Sequence, residues 1–224
     1  MKMGLTEVVF IMDRSGSMSG LEADTIGGFN SMIDRQKKEE GEAYISTVLF
    51  DDRAEVIYDR VSLDKIEPMN DSQYYVRGCT ALLDALGDAI HHIGNVHKYA
   101  RDEDRPQKTL FIIITDGMEN ASHRYSYRKV REMVERQKSK YGWEFLFLGA
   151  NIDAIEVAGR YGIDANRAIN YESDHKGTAL NYRTLAHTVS AFRACDCSTR
   201  ADMDAMFEAC CEPIRQDYKK RHKA

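Results

Sequence analysis

The sequence predicts an open, mostly parallel α/β sheet. Three observations lead there. Two apolar runs, Val8 to Met12 and Leu110 to Ile114, are too short to span a membrane and have the length of buried parallel strands. Such runs alternate along the chain with stretches of helical apolar spacing, the pattern of strand–helix–strand units. Both runs end abruptly at polar loops containing an acid, Asp13 and Asp116.

The elements follow in order. The first strand ends in Asp13-Arg14-Ser15-Gly16-Ser17. From Leu21 to about Lys38, Ile26, Phe29, Met32 and Ile33 keep an approximately helical rhythm, and Gly41 is placed to end the helix. Ala43 to Phe50 and Ala54 to Val61 read as strands joined by the turn Asp51-Asp52-Arg53, a hairpin whose second strand runs antiparallel at a sheet edge. Leu82, Leu83, Leu86, Ala89, Ile90 and Ile93 mark an amphipathic helix. After the second buried run, a charged helix covers Tyr127 to Lys140. A strand covers Trp143 to Leu148, and a short helix Asp153 to Gly162. A last strand covers Ala165 to Asn170, and a helix Thr178 to Ala194. That makes six strands. In such sheets, ligands bind beyond the carboxyl ends of the strands where the strand order reverses. If the first and second buried runs are neighbours there, Asp13 and Asp116 meet.

Composition narrows the function. The 224 residues are 43% hydrophobic and 30% charged, and the net charge of -5 gives no electrostatic case for nucleic acid or an anionic membrane. The start runs straight into the first strand and reads as no signal peptide. Five cysteines, Cys79, Cys195, Cys197, Cys210 and Cys211, read as reduced thiols of a cytoplasmic protein, and their spacing matches no common zinc pattern.

The chemistry concentrates in three pieces: Asp13-x-Ser15-x-Ser17, Thr80 after Gly78, and Asp116 in Thr-Asp-Gly. All offer oxygen, and hard oxygen donors suit magnesium, manganese or calcium. Each piece alone is also ordinary cap or turn chemistry. Their common placement at the expected switch point favours a site. Together they resemble the metal-ion-dependent adhesion site of von Willebrand factor type A domains, over roughly residues 5 to 195. The loops Arg77-Gly78-Cys79-Thr80 and Thr115 to Asn120 resemble bacterial intracellular members.

The resemblance implies a Rossmann-like doubly wound sheet with helices on both faces. It implies Mg²⁺, with Mn²⁺ or Ca²⁺ as alternatives, held by the hydroxyls of Ser15, Ser17 and Thr80 and by Asp13 and Asp116, directly or through water. It further implies a protein partner whose exposed Asp or Glu completes the metal shell. Two carboxylates barely neutralise a divalent ion, so the open position should favour an anionic oxygen. The expected function is therefore Mg²⁺-dependent, non-enzymatic protein binding. The alternatives are a metal-assisted hydrolase and a metal-independent scaffold within a multi-protein assembly.

Further expectations concern single residues. Arg14 is expected to be exposed beside the ion and to contact the partner's acid. Asp84 and Asp88 read as a solvated helix face, Asp51 and Asp52 as turn residues with the rim of the crevice as the alternative, and His91 and His92 as surface or rim groups. Gly27-Gly28 reads as a close-packing spot. Residues 1–196 form the expected domain, and 197–224 a helical appendage. In the appendage Ser198-Thr199 caps a helix whose apolar stripe is Met203, Met206, Phe207, Cys210 and Ile214. That stripe is read as packing back on the domain, with a partner-binding helix as the alternative.

Overall fold

The computed structural model describes residues 1–197 and 199–222. Strand β1 (Lys2–Asp13) is followed by α1 (Glu22–Gln36), then the hairpin of β2 (Glu42–Phe50) and β3 (Ala54–Ser62). Next come α2 (Leu82–Tyr99), β4 (Pro106–Asp116), α3 (Tyr127–Tyr141) and β5 (Glu144–Ala150). The chain closes with α4 (Ala154–Arg160), β6 (Ala168–Asn170), α5 (His175–Ala194) and α6 (Arg200–Arg221). The sheet order is β3-β2-β1-β4-β5-β6. Only the edge pair β2/β3 is antiparallel. The expected Rossmann-like α/β sheet is thus the observed one. Strand order reverses between β1 and β4, which places Asp13 and Asp116 side by side.

The pleat of β1 divides the core into two layers. Val8, Phe10 and Met12 face α1, α5 and α6, whereas Val9 and Ile11 face α2, α3 and α4. Such burial on both faces explains why the strand reads as a continuous apolar run instead of an alternating one. On the first layer Gly28 of α1 lies against Tyr182 of α5, where an added Cβ would come within 2.4 Å of the ring. The close-packing reading of Gly28 agrees with this contact. Gly28→Ala should push the two helices apart and cost about 1–3 kcal/mol, the usual range for overpacking. A urea midpoint equal to that of the wild type would refute the contact.

Helix α6 packs back on this layer. Thr199 caps it, in a capping box with Asp202; Ser198 lies outside the described residues. Phe207, Cys211 and Ile214 are buried, and Phe207 meets Phe192 of α5 at 5.9 Å between ring centroids. A buried ion network adds to the apolar contact. Arg167, before β6, donates from Nε to Glu144 (3.0 Å) and from Nη2 to Asp204 of α6 (2.7 Å). Its guanidinium lies 4.1 Å above the Phe207 ring. Arg200 donates to the other oxygen of Glu144 at 2.5 Å.

The cysteines depart from expectation. Cys195 and Cys197, in the α5–α6 connection, are joined in a disulfide, with Cα atoms 5.2 Å apart. That separation is within the bridging range, which sequence spacing alone did not reveal. Cys79, Cys210 and Cys211 are free thiols, as expected. Among the described residues, no helix is long and apolar enough to cross a membrane.

Candidate metal centre

The carboxyl ends of β1 and β4 and the loop entering α2 converge at one point. Asp13 is buried and accepts the Ser15 N–H at 2.7 Å and the Thr115 hydroxyl at 2.7 Å. Ser15 Oγ lies 3.2 Å from Ser17 Oγ and 3.2 Å from Thr80 Oγ1. Ser17 donates to the main-chain carbonyl of Asp116. The five residues singled out in the sequence are therefore neighbours in space.

Several groups hold this arrangement. The Tyr74 hydroxyl donates to the Asp13 carbonyl at 2.6 Å. The Thr80 N–H donates to Asn120 Oδ1 at 2.9 Å, and the N–H groups of Asn120 and Ala121 return to the Thr80 carbonyl. Gly78, with φ +66°, lets this loop pass the Asp52 carboxylate, which a Cβ would meet at 2.6 Å. Asp52 accepts the Cys79 N–H at 2.5 Å, so it does more than turn a hairpin.

Arg14 corrects the expectation of an exposed contact residue. Its side chain is fully buried and donates to Asp51 (Nε, 2.7 Å), Glu55 (Nη2, 2.6 Å) and the Gln73 carbonyl (Nη1, 3.2 Å). The β1–loop junction turns the side chain away from the site and under the hairpin. Asp51 is likewise buried. Burial alone would raise its carboxyl, but hydrogen bonds from Arg77, the Arg53 backbone and Arg14 hold it below the usual carboxylate range. The Asp51 carbonyl also accepts the Ala81 N–H at 2.8 Å, which ties the hairpin to the Thr80 loop.

Asp84 is a second correction. It is not on a solvated face but buried at the start of α2. It accepts the N–H groups of His123, Arg124 and Tyr125 at 2.9–3.0 Å. Burial opposes its charge; those three donors overcome it and hold the carboxyl low. Glu119 does the converse, accepting the Leu83 N–H at 2.7 Å at the α2 terminus. Asp88 is half-buried and pairs with Arg124 at 2.6 Å, whereas His91 and His92 are exposed.

The charge state of the centre stands out. Among the described residues, neither Asp13 nor Asp116 has a cationic partner. Asp13 accepts only neutral donors, and burial pushes its carboxyl up against the pull of those hydrogen bonds. Asp116 accepts from the Asn151 amide and the Ser173 hydroxyl, also neutral. Buried charges are normally paired or coordinated to a metal. Among the described residues, no three His, Cys, Asp or Glu side chains cluster closely enough to hold an ion. A cation here would therefore rely on hydroxyl oxygens beside two carboxylates, a donor set that fits a hard divalent ion.

Comparison with known proteins agrees with this fold. The sequence matches no protein-family model and no curated protein. Among solved structures, the vWF domain of the type V pili tip protein Mfa5 from Porphyromonas gingivalis matches at TM-score 0.58 and 11% identity. The match covers 87% of this chain and 98% of that one. Proximal thread matrix protein 1 from the mussel byssus, in a form with a zinc-occupied MIDAS motif, matches at TM-score 0.54 and 18% identity, over 83% and 46% of the two chains. A von Willebrand factor type A protein from Catenulispora acidiphila matches at TM-score 0.54 and 14% identity, over 83% and 43%. The chain spans less than half the length of the latter two. The chain therefore shares the α/β fold of these structures.

Two residues beside this centre escaped the sequence reading. Asn151 follows β5 in a left-handed conformation, φ 56°, a strained position of the kind that gathers at functional sites. Its place at the carboxyl end of the strand next to β4 was the available signal. Ser173 carries none, because only the fold of the β6–α5 connection brings it to Asp116.

Proposed function

We propose that the chain is a Mg²⁺-dependent protein-binding module of the metal-ion-dependent adhesion type, as in the intracellular bacterial relatives its loops resemble. Ser15, Ser17 and Thr80 would hold the ion by their hydroxyls, and Asp13 and Asp116 directly or through water. Mn²⁺ and Ca²⁺ are the alternative ions. The bound cation would supply an electrophilic docking point for an Asp or Glu of a protein partner. The observation that carries this reading is the pair of buried carboxylates without a cationic partner among the described residues, beside the Ser15 hydroxyl that contacts those of Ser17 and Thr80.

The proposed role is binding without catalysis. Both carboxylates are fixed by several donors each, an arrangement suited to static ion ligation more than to proton transfer. Residues 1–196 would form the binding domain. The 197–224 appendage would support it from α5 and β6.

Titration of Mg²⁺ and Mn²⁺ by calorimetry tests the reading. The wild type should bind one equivalent saturably, and Asp13→Ala should lose it. Binding should stabilise the fold by about 2.7 kcal/mol at a hundredfold excess over Kd. A melting temperature indifferent to either metal, with no heat of binding, would sink the proposal. Capture of the partner should disappear in chelator.

A further inference from the structure

Beside the metal centre lies a second concavity, of about 440 Å³, at the carboxyl ends of β5 and β6. Asn151, Asp153, Asn170, Glu172, Tyr218 and His222 are among its lining residues. Asn151 belongs to both places, since its amide nitrogen donates to Asp116. The last turn of α6 walls the far side, with the rings of Tyr218 and His222 stacked at 4.2 Å.

The lining is rich in acceptors and contains no Lys or Arg. Asp153 uses Oδ1 for the N–H groups of Ile155 and Glu156 at the start of α4, and its Oδ2 has no partner among the described residues. Glu172 uses Oε1 for His222, and its Oε2 has none. With the Asn151 amide nitrogen engaged, its carbonyl oxygen has none. Asp153 is exposed at the rim and forms no ion pair among the described residues. Three acceptor oxygens, two of them anionic, stand beside two stacked rings. That is a chemistry complementary to a guanidinium, which brings five N–H donors and a cation that stacks on aromatic faces.

We infer that this concavity is a subsite for a basic side chain, arginine foremost, placed close in sequence to the partner's acid. Its bridging role rests on the metal-site reading; its affinity for arginine does not. In an extended peptide, residues two apart point to the same face at a spacing of about 7 Å. An Asp-x-Arg segment can therefore present the acid to the ion and the guanidinium to the neighbouring concavity. The two sites together would select an acid-and-base pair where the ion alone selects any exposed acid.

The test uses the full chain in two arms. In the first, without metal, N-acetyl-arginine methylamide and its norleucine counterpart are titrated while chemical shifts are followed. Arginine should shift Asn151, Glu172, Tyr218 and His222 saturably, and norleucine should not. The double variant Asp153→Asn, Glu172→Gln keeps the shapes and the α4 cap, and should weaken arginine at least fivefold. Equal responses to both amides, or an unchanged affinity in the variant, overturn the subsite. In the second arm, with Mg²⁺, the peptide acetyl-Gly-Asp-Gly-Arg-Gly-amide is compared with the same peptide carrying norleucine for arginine. The arginine peptide should bind at least threefold tighter, and the advantage should vanish in the double variant. Arginine binding without any metal binding would defeat the docking reading and leave the subsite standing. Metal-dependent binding of both peptides with equal affinity would do the reverse.

Discussion

Arg14→Met is expected to lower stability by about 3 kcal/mol and to weaken the proposed Mg²⁺ binding at the same time. Removing one partner of a buried ion pair typically costs about 3–5 kcal/mol, because the other charge is left in a poorly solvated place. Here Asp51 keeps Arg77, which donates to the same oxygen at 2.7 Å and is 45% exposed, so the lower end of that range applies. At roughly 2–4 °C per kcal/mol for a chain of this size, the melting temperature should fall by about 10 °C. The second effect follows from connectivity. Arg14 holds Asp51, whose carbonyl receives the Ala81 N–H, while the Arg14 carbonyl receives the Arg77 N–H at 2.9 Å. Thr80 sits between those two anchors. A loosened loop would blur the position of its hydroxyl, and misplacement of a single ligand lowers affinity for an ion that demands near-ideal geometry. A variant that melts lower but binds Mg²⁺ as the wild type does would show that Arg14 serves the fold alone. A double-mutant cycle with Asp51→Asn should return a coupling energy of at least 0.5 kcal/mol, since the two residues share one network.

Arg167→Ala is expected to destabilise the chain by about 3–5 kcal/mol and to release α6. The substitution strips Glu144, 6% exposed, of one of its two cations and leaves Asp204 with Arg200 alone. It also removes the guanidinium that covers the Phe207 ring, a desolvated cation–π contact worth about 2 kcal/mol in such settings. The loss should appear locally first. Hydrogen exchange in α6 should rise before that of β1 and β4, because helices held by one interface open below the global unfolding energy. Arg167→Met tests the electrostatic part. It restores apolar contact with Phe207 and should recover only part of the loss, because Glu144 remains buried with a single partner. Exchange in α6 unchanged in both variants would mean that the helix is held by its apolar stripe alone.

Much of the fold was legible from local pattern. The helices from Leu21 and Leu82 announced themselves by apolar spacing, and the hairpin by acids between two apolar strands. The buried run of β1 announced itself by having no polar break. Each signal is local, because strand and helix geometry place side chains of fixed near spacing on one face. The stripe on α6 was legible for the same reason, and so was the close approach at Gly28. Of the centre itself, Asp13, Ser15, Ser17, Thr80 and Asp116 could be picked out because each sits at the polar end of a recognisable element. Neither Asn151 nor Ser173 stands in a motif; Asn151 had only its place after β5 as a signal, and Ser173 had none.

What the sequence determined by itself was the order of strands and helices, the edge hairpin, and the oxygen-rich loops at two strand ends. The pairing of charges was decided only by the tertiary structure. Arg14 finds Asp51 37 positions away, Arg167 finds Asp204 37 away, and Asp84 caps backbone N–H groups about 40 away. Charged side chains are long and carry no periodic signature of their partners. Whether one of them is exposed or buried depends on which loop packs above it. For that reason Arg14 and Asp84 read as surface groups in the chain and proved to be internal ties in the folded molecule. The acceptor-lined concavity arose in the same way, from three segments that only the sheet and the last turn of α6 bring together.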